Sequence, residues 1–115
     1  MRYIIDLQHP AHLHFFRKSA EKLMHEGHHV LFTGRKKDIL IELADEYGLE
    51  LLVLSSAGRG MVRMGMEVIE HQAKIIKLIK YFKPHAVMAI AGTFTAIPGF
   101  LTRTPTYVFY DTEHA

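Results

Sequence analysis

Between Asp6 and His14 the chain sets an acid, an amide and three of its nine histidines in one short run, D-L-Q-H-P-A-H-L-H. An imidazole with an ordinary pKa of ~6.5 suits abstraction of a proton from a hydroxyl at neutral pH. His9 and His12 are therefore candidate general bases, with Asp6 as the carboxylate that orients one of them. The competing reading is structural: histidines there cap a helix or face water, and a strand-terminal aspartate satisfies loop amides. Metal ligation is disfavoured, because on a helix starting near Ala11 the side chains of His12 and His14 lie about 200° apart and His9, His12 and His14 form no His-x-x-x-His pair among themselves. Farther along, Gly92, Thr93 and Thr95 offer amide and hydroxyl donors to an anionic or sugar ligand, or simply cap a helix. Arg59 and Arg63 are placed to grip a phosphate or carboxylate, or to stand in solvent. Asp111, Glu113 and His114, three hydrogen-bonding side chains in D-T-E-H, are dense for a plain turn.

The elements that must position these groups alternate. Strands are expected over Tyr3–Ile5, His29–Thr33, Leu51–Leu54, Ala86–Ile90 and Tyr107–Tyr110. Helices are expected from Pro10 to Gly27, over Asp38–Tyr47 and over Met66–Phe82, with a short one capped near Thr95. In the third helix Val68, Ile69, Ile75, Ile76, Ile79 and Phe82 are expected to face inward. The four apolar residues of Leu51–Leu54 suit a strand covered on both sides. Between strand three and helix three, S-S-A-G-R-G-M-V-R-M-G-M reads as a long irregular loop over 55–66, apolar and cationic at once. Such a loop would suit a lipid-linked acceptor, so peripheral membrane contact is one expectation.

This alternation predicts an α/β fold, a Rossmann-like three-layer sandwich around a five-stranded parallel sheet in the order 3-2-1-4-5. The order reverses between strands one and four, and ligands of such sheets bind beyond the strands' carboxyl ends at the reversal. Gln8 to His14 and Gly92 to Thr95 would then line one crevice, with Asp111 and Glu113 close by. The first loop lacks glycine, which argues against a dinucleotide fingerprint. Strand three ends in Ser55-Ser56, where a receiver domain needs an aspartate.

Composition bounds the rest. A net charge of +2 is too small to imply nucleic acid by electrostatics. No run approaches the ~20 apolar residues of a membrane span, and the absence of cysteine removes thiolate catalysis and disulfides. A cytoplasmic protein is expected, with neither a metal nor a bound cofactor.

The segments M-R-Y-I-I-D-L-Q-H-P-A-H-L-H-F-F-R, H-H-V-L-F-T-G-R-K-K-D, D-E-Y-G-L and V-F-Y-D-T-E-H-A resemble the amino-terminal third of a prokaryotic family, domain of unknown function 354. That family is similar to the two-lobed GT-B glycosyltransferases and the UDP-N-acetylglucosamine 2-epimerases. The resemblance implies that residues 1–115 are one Rossmann-like, acceptor-side lobe, half of a GT-B-type protein. By the same resemblance a nucleotide-sugar co-substrate is held mainly by a carboxyl-terminal lobe, and this lobe alone is inactive. His9 is the nearest match to the family-type histidine after the first strand and His12 the second, although Gln8 stands where glycine is common. The catalytic set is then His9, His12, Asp6 and Asp111. The substrate-binding set is His14, Arg59, Arg63, Gly92, Thr93, Thr95, Glu113 and His114. Transfer of a sugar to a hydroxyl acceptor is the leading expectation. The alternatives are a UDP-sugar 2-epimerase lobe and a non-catalytic lobe that binds a ligand or a second copy of itself through an open sheet edge.

Overall fold

The computed structural model describes residues 1–7, 10–36, 40–56, 60–90 and 95–109. Five strands, β1 (Arg2–Leu7), β2 (His29–Lys36), β3 (Leu51–Ser56), β4 (Ala86–Ile90) and β5 (Thr106–Phe109), form one sheet in the order β3-β2-β1-β4-β5. All four pairings are parallel. The connections run through α1 (Pro10–His25), α2 (Leu40–Glu46), α3 (Met61–Phe82) and α4 (Ala96–Thr102). This is the expected Rossmann-like topology, and its order reverses between β1 and β4.

Alternation along β1 divides the interior into two layers, since successive strand side chains point to opposite faces. Ile5 and Leu7 pack with Leu13, Phe16 and Ala20 of α1, Phe32 of β2, and Leu40 and Ala44 of α2. Ile4 packs on the other face with Leu54, Val87, and Ile75 and Ile79 of α3. Pro10 opens α1, where its missing amide hydrogen costs nothing. Gly27 and Gly48, at φ +92 and +67, close the turns after α1 and α2, a backbone region that side chains with a Cβ resist.

Three expectations are corrected. Helix α3 starts at Met61 rather than Met66, so Met61 to Met66 belong to a helix of 22 residues and not to a loop. Its inward stripe is Glu67, His71, Ile75 and Ile79, while Ile69 is 71% exposed. Residues four apart share a helix face, and here two of the four are polar, so an apolar count mistook the register. Strand β3 is not covered on both sides either: Leu52 and Val53 are 41% and 42% exposed, because β3 is an edge of the sheet. The cap of α4 does fall at Thr95, but its side chain makes no capping hydrogen bond.

The core assignment predicts a contrast between two phenylalanines. Phe32 is fully buried and Phe100 is 83% exposed, so Phe32→Ala should cost about 3–5 kcal/mol. Phe100→Ala should change stability by less than about 0.5 kcal/mol. Urea unfolding followed by circular dichroism measures both.

Candidate functional site

At the carboxyl end of the sheet, the layer under α3 turns from apolar to polar. Asp6 follows Ile4 on the α3 face of β1, and its register partner on β2 is Thr33, two residues before Arg35 on the same face. The β2–β3 register shifts between Gly34 and Arg35, so that Arg35 pairs with Ser55 and Leu54 is passed over. A bulge of this kind re-aims side chains. Here it lets consecutive residues of β3 both reach α3, Leu54 to the apolar cluster and Ser55 to His71.

These residues form one hydrogen-bonded chain with the inner stripe of α3. The Thr33 hydroxyl donates to Asp6 Oδ1 at 2.6 Å, and His71 Nε2 lies 2.8 Å from the same oxygen. His71 Nδ1 lies 2.7 Å from Ser55 Oγ, whose hydroxyl donates to Glu67 Oε2 at 2.9 Å. Arg35 closes the chain through a two-point clamp on Glu67, with Nε 2.9 Å from Oε2 and Nη2 on Oε1. The Ser55 hydroxyl thus links the His71 ring to the Glu67 carboxylate, and Arg35 meets that carboxylate with its cation. Asp6, Thr33 and His71 are fully buried, and Ser55 and Glu67 nearly so. Charges held so far from water persist only when paired and hydrogen-bonded.

Two atoms stand outside this economy. Asp6 Oδ2 and Thr95 Oγ1 are the buried side-chain polar atoms without a hydrogen-bond partner among the described residues. Leaving such an atom unsatisfied costs about 1–3 kcal/mol. Asp6 lies in β1 opposite Ala89 of β4, and Thr95 starts α4, so one atom belongs to β1 and the other to the helix that follows β4, the two neighbouring strands at the reversal. Chemically, Oδ2 accepts a hydrogen and Thr95 Oγ1 gives or accepts one.

His12 is half-buried on the first turn of α1. His14 is exposed and meets Tyr47 edge-on at 6.2 Å, with Arg17 stacked 3.9 Å over the same ring. The Arg17 pKa is raised first by its hydrogen bond to Glu21. That group lies on the α1–α2 side, whereas Asp6 is on the α3 side, so the structure does not bring His14 to the Asp6 cluster. Arg63 is exposed in the first turn of α3 rather than in a loop. His9, Arg59, Gly92, Thr93, Asp111, Glu113 and His114 lie outside the described residues. The imidazole on Asp6 is that of His71, which sequence reasoning passed over along with Glu67, Ser55, Arg35 and Thr33. Its signal was the four-residue spacing of Glu67, His71, Ile75 and Ile79. Among the described residues no group of three or more His, Asp or Glu could hold a metal ion. An open depression of about 620 Å³ between α4 and β5, lined by Gly99, Phe100 and Arg103 among others, shares no residue with this chain of contacts.

Known proteins share the architecture. A family model described as protein of unknown function (DUF354) matches residues 1–115. No curated protein sequence matches. Among solved structures, the glycosyltransferase SsfS6 of Streptomyces sp. SF2575 is similar with a TM-score of 0.75 at 14% identity, over 96% of this chain and 39% of that one. MurG of Acinetobacter baumannii gives 0.72 at 12% identity, over 96% and 34%. The UDP-GlcNAc 2-epimerase of Methanocaldococcus jannaschii gives 0.73 at 16% identity, over 94% and 31%. The chain thus spans about a third of the length of these proteins, and at such identities the likeness is one of fold.

Removing one member of the buried chain should strand its neighbour's charge. Glu67→Gln takes the carboxylate from Arg35 and should destabilise the protein by about 3–5 kcal/mol. A double-mutant cycle of Ser55→Ala and His71→Asn should show a coupling of about 0.5–3 kcal/mol. Additive effects in denaturant unfolding would contradict a connected chain.

Proposed function

We propose that this chain, which belongs to the DUF354 family, is the acceptor-side lobe of a two-lobed glycosyltransferase of GT-B type. In this reading a carboxyl-terminal lobe beyond residue 115 holds a nucleotide sugar, and a hydroxyl acceptor sits over the carboxyl ends of β1 and β4. The acceptor oxygen forms a bond to the anomeric carbon while the bond from that carbon to the nucleoside diphosphate breaks. The diphosphate leaves with the electron pair, and the acceptor's proton passes to an imidazole beside Pro10, that of His9 or His12. The observation that carries the reading is the pair of unpartnered polar atoms at the strand reversal, Asp6 Oδ2 and Thr95 Oγ1. A sugar-like hydroxyl can donate to the first and accept from the second. Arg59, Arg63, Gly92, Thr93, Asp111, Glu113 and His114 remain binding candidates in the same reading, and a cytoplasmic location belongs to it.

A second reading is 2-epimerisation of a UDP-sugar. It is favoured by the likeness to the Methanocaldococcus jannaschii epimerase, as close as that to the transferases. The two differ in a simple respect: an epimerase makes product with no acceptor present.

Titration calorimetry of the full-length protein against UDP-, GDP- and CMP-sugars tests both readings. One of these should bind in the range of roughly 1 μM to 1 mM; binding of none overturns both. With the substrate in hand, His9→Asn or His12→Asn should lower kcat by about 10²–10⁴-fold, the usual contribution of a general base. Asp6→Asn should raise the acceptor KM.

A further inference from the structure

The amino-terminal half of α3 departs from an ordinary surface helix, which turns its apolar side to the core. Its inner stripe begins with Glu67 and His71. Its outer stripe, at spacings of three and four, begins with Val62, Met66, Ile69 and Ala73 and continues with Lys77 and Lys80, all exposed. Val62 and Ile69 are 80% and 71% accessible. Because α3 starts where β3 ends, the apolar half of the stripe lies at the end of the sheet that carries Asp6, and the basic half at the opposite end. Helix α4, packed beside α3 on the same side of the sheet, adds exposed Ile97, Phe100 and Leu101.

Among the described residues of α3 and α4, exposed cations outnumber exposed carboxylates. Exposed Arg63, Lys77, Lys80 and Lys83 stand on or next to α3 and Arg103 follows α4. Of the carboxylates on these two helices, Glu67 is buried on Arg35, and Glu70 is paired with Lys74 at 3.0 Å. The acidic side chains Glu42, Asp45 and Glu46 are exposed on α2, across the sheet. Exposed large apolar residues followed along one helix face by cations are the composition of a helix that lies in a bilayer interface. Anionic headgroups attract the cations, and the acyl boundary takes the apolar side chains. Among the described residues no helix is long and apolar enough to cross a membrane, so the contact is peripheral.

We infer that the outer face of α3, from Val62 to Lys80, is a docking surface for an anionic phospholipid bilayer. The inference stands apart from the sugar-transfer reading, since it rests on the outside of α3 and not on Asp6.

Flotation of the full-length protein with vesicles tests it, using phosphatidylcholine alone and phosphatidylcholine containing a third of phosphatidylglycerol. The mixed vesicles should bind about tenfold more strongly than the neutral ones. Ile69→Glu should lower that binding about tenfold by placing a carboxylate in the apolar stripe, and the pair Lys77→Glu and Lys80→Glu should abolish the preference for anionic lipid. Circular dichroism and thermal unfolding of these surface variants should match the parent. Recovery that is the same with and without vesicles, or binding unchanged by Ile69→Glu, overturns the inference. So does a concentration-dependent dimer in light scattering that Ile69→Glu dissolves without any vesicle binding, which would assign the face to a second copy of the chain.

Discussion

Burial of the Asp6 carboxylate is the constraint from which the site and the placement of α3 follow. A carboxylate with no access to water must find donors in the protein, because leaving it unpaired costs more than a small domain's margin of stability. Thr33 on the neighbouring strand supplies one donor and His71 on α3 the other. Each partner then creates a further demand. The second nitrogen of His71 needs Ser55, the Ser55 hydroxyl needs Glu67, and Glu67 needs Arg35. At Arg35, whose side chain is 14% accessible, the chain comes nearest to solvent.

These contacts fix the rotation of α3 about its own axis. Ile75 and Ile79 alone would tolerate several rotations against Ile4, Leu54 and Val87, because apolar packing has little directionality. Hydrogen bonds to Asp6 and Ser55 do not, since a rotation of one residue would carry both His71 and Glu67 away from their partners. With the polar pair turned inward, the apolar residues Val62, Met66 and Ile69 are left outside. The surface character of α3 and the chemistry beneath it are two consequences of one rotation.

The sheet divides its work between its ends. At the amino ends of the strands, the layer under α3 is aliphatic and supplies stability through buried area. At the carboxyl ends it is a chain of charges, which contributes little net stability compared with well-packed hydrocarbon and holds side chains in one geometry instead. Thr33 and His71 occupy one oxygen of Asp6 and leave the other without a partner. An oriented group of this kind, on rigid strands and backed by locked partners, is what a binding site needs.

The strand and helix alternation, the parallel sheet and its order were legible in the chain because they rest on local signals: apolar runs, glycines at helix ends, prolines at helix starts. Asp6 stood out too, as an acid where the first strand stops. Its partner did not, because His71 is 65 positions away and its four-residue spacing with Glu67, Ile75 and Ile79 does not read as an apolar stripe. The same holds for Ser55, which reaches α3 through a register shift with β2 that no single strand encodes. Local sequence thus determined which elements form and in what order, since backbone preference and apolar periodicity act within a few residues. Only the tertiary structure decided which face of α3 meets the sheet, because that choice depends on polar and charged groups brought together from four separate elements, β1, β2, β3 and α3, each of which must have a partner once water is gone.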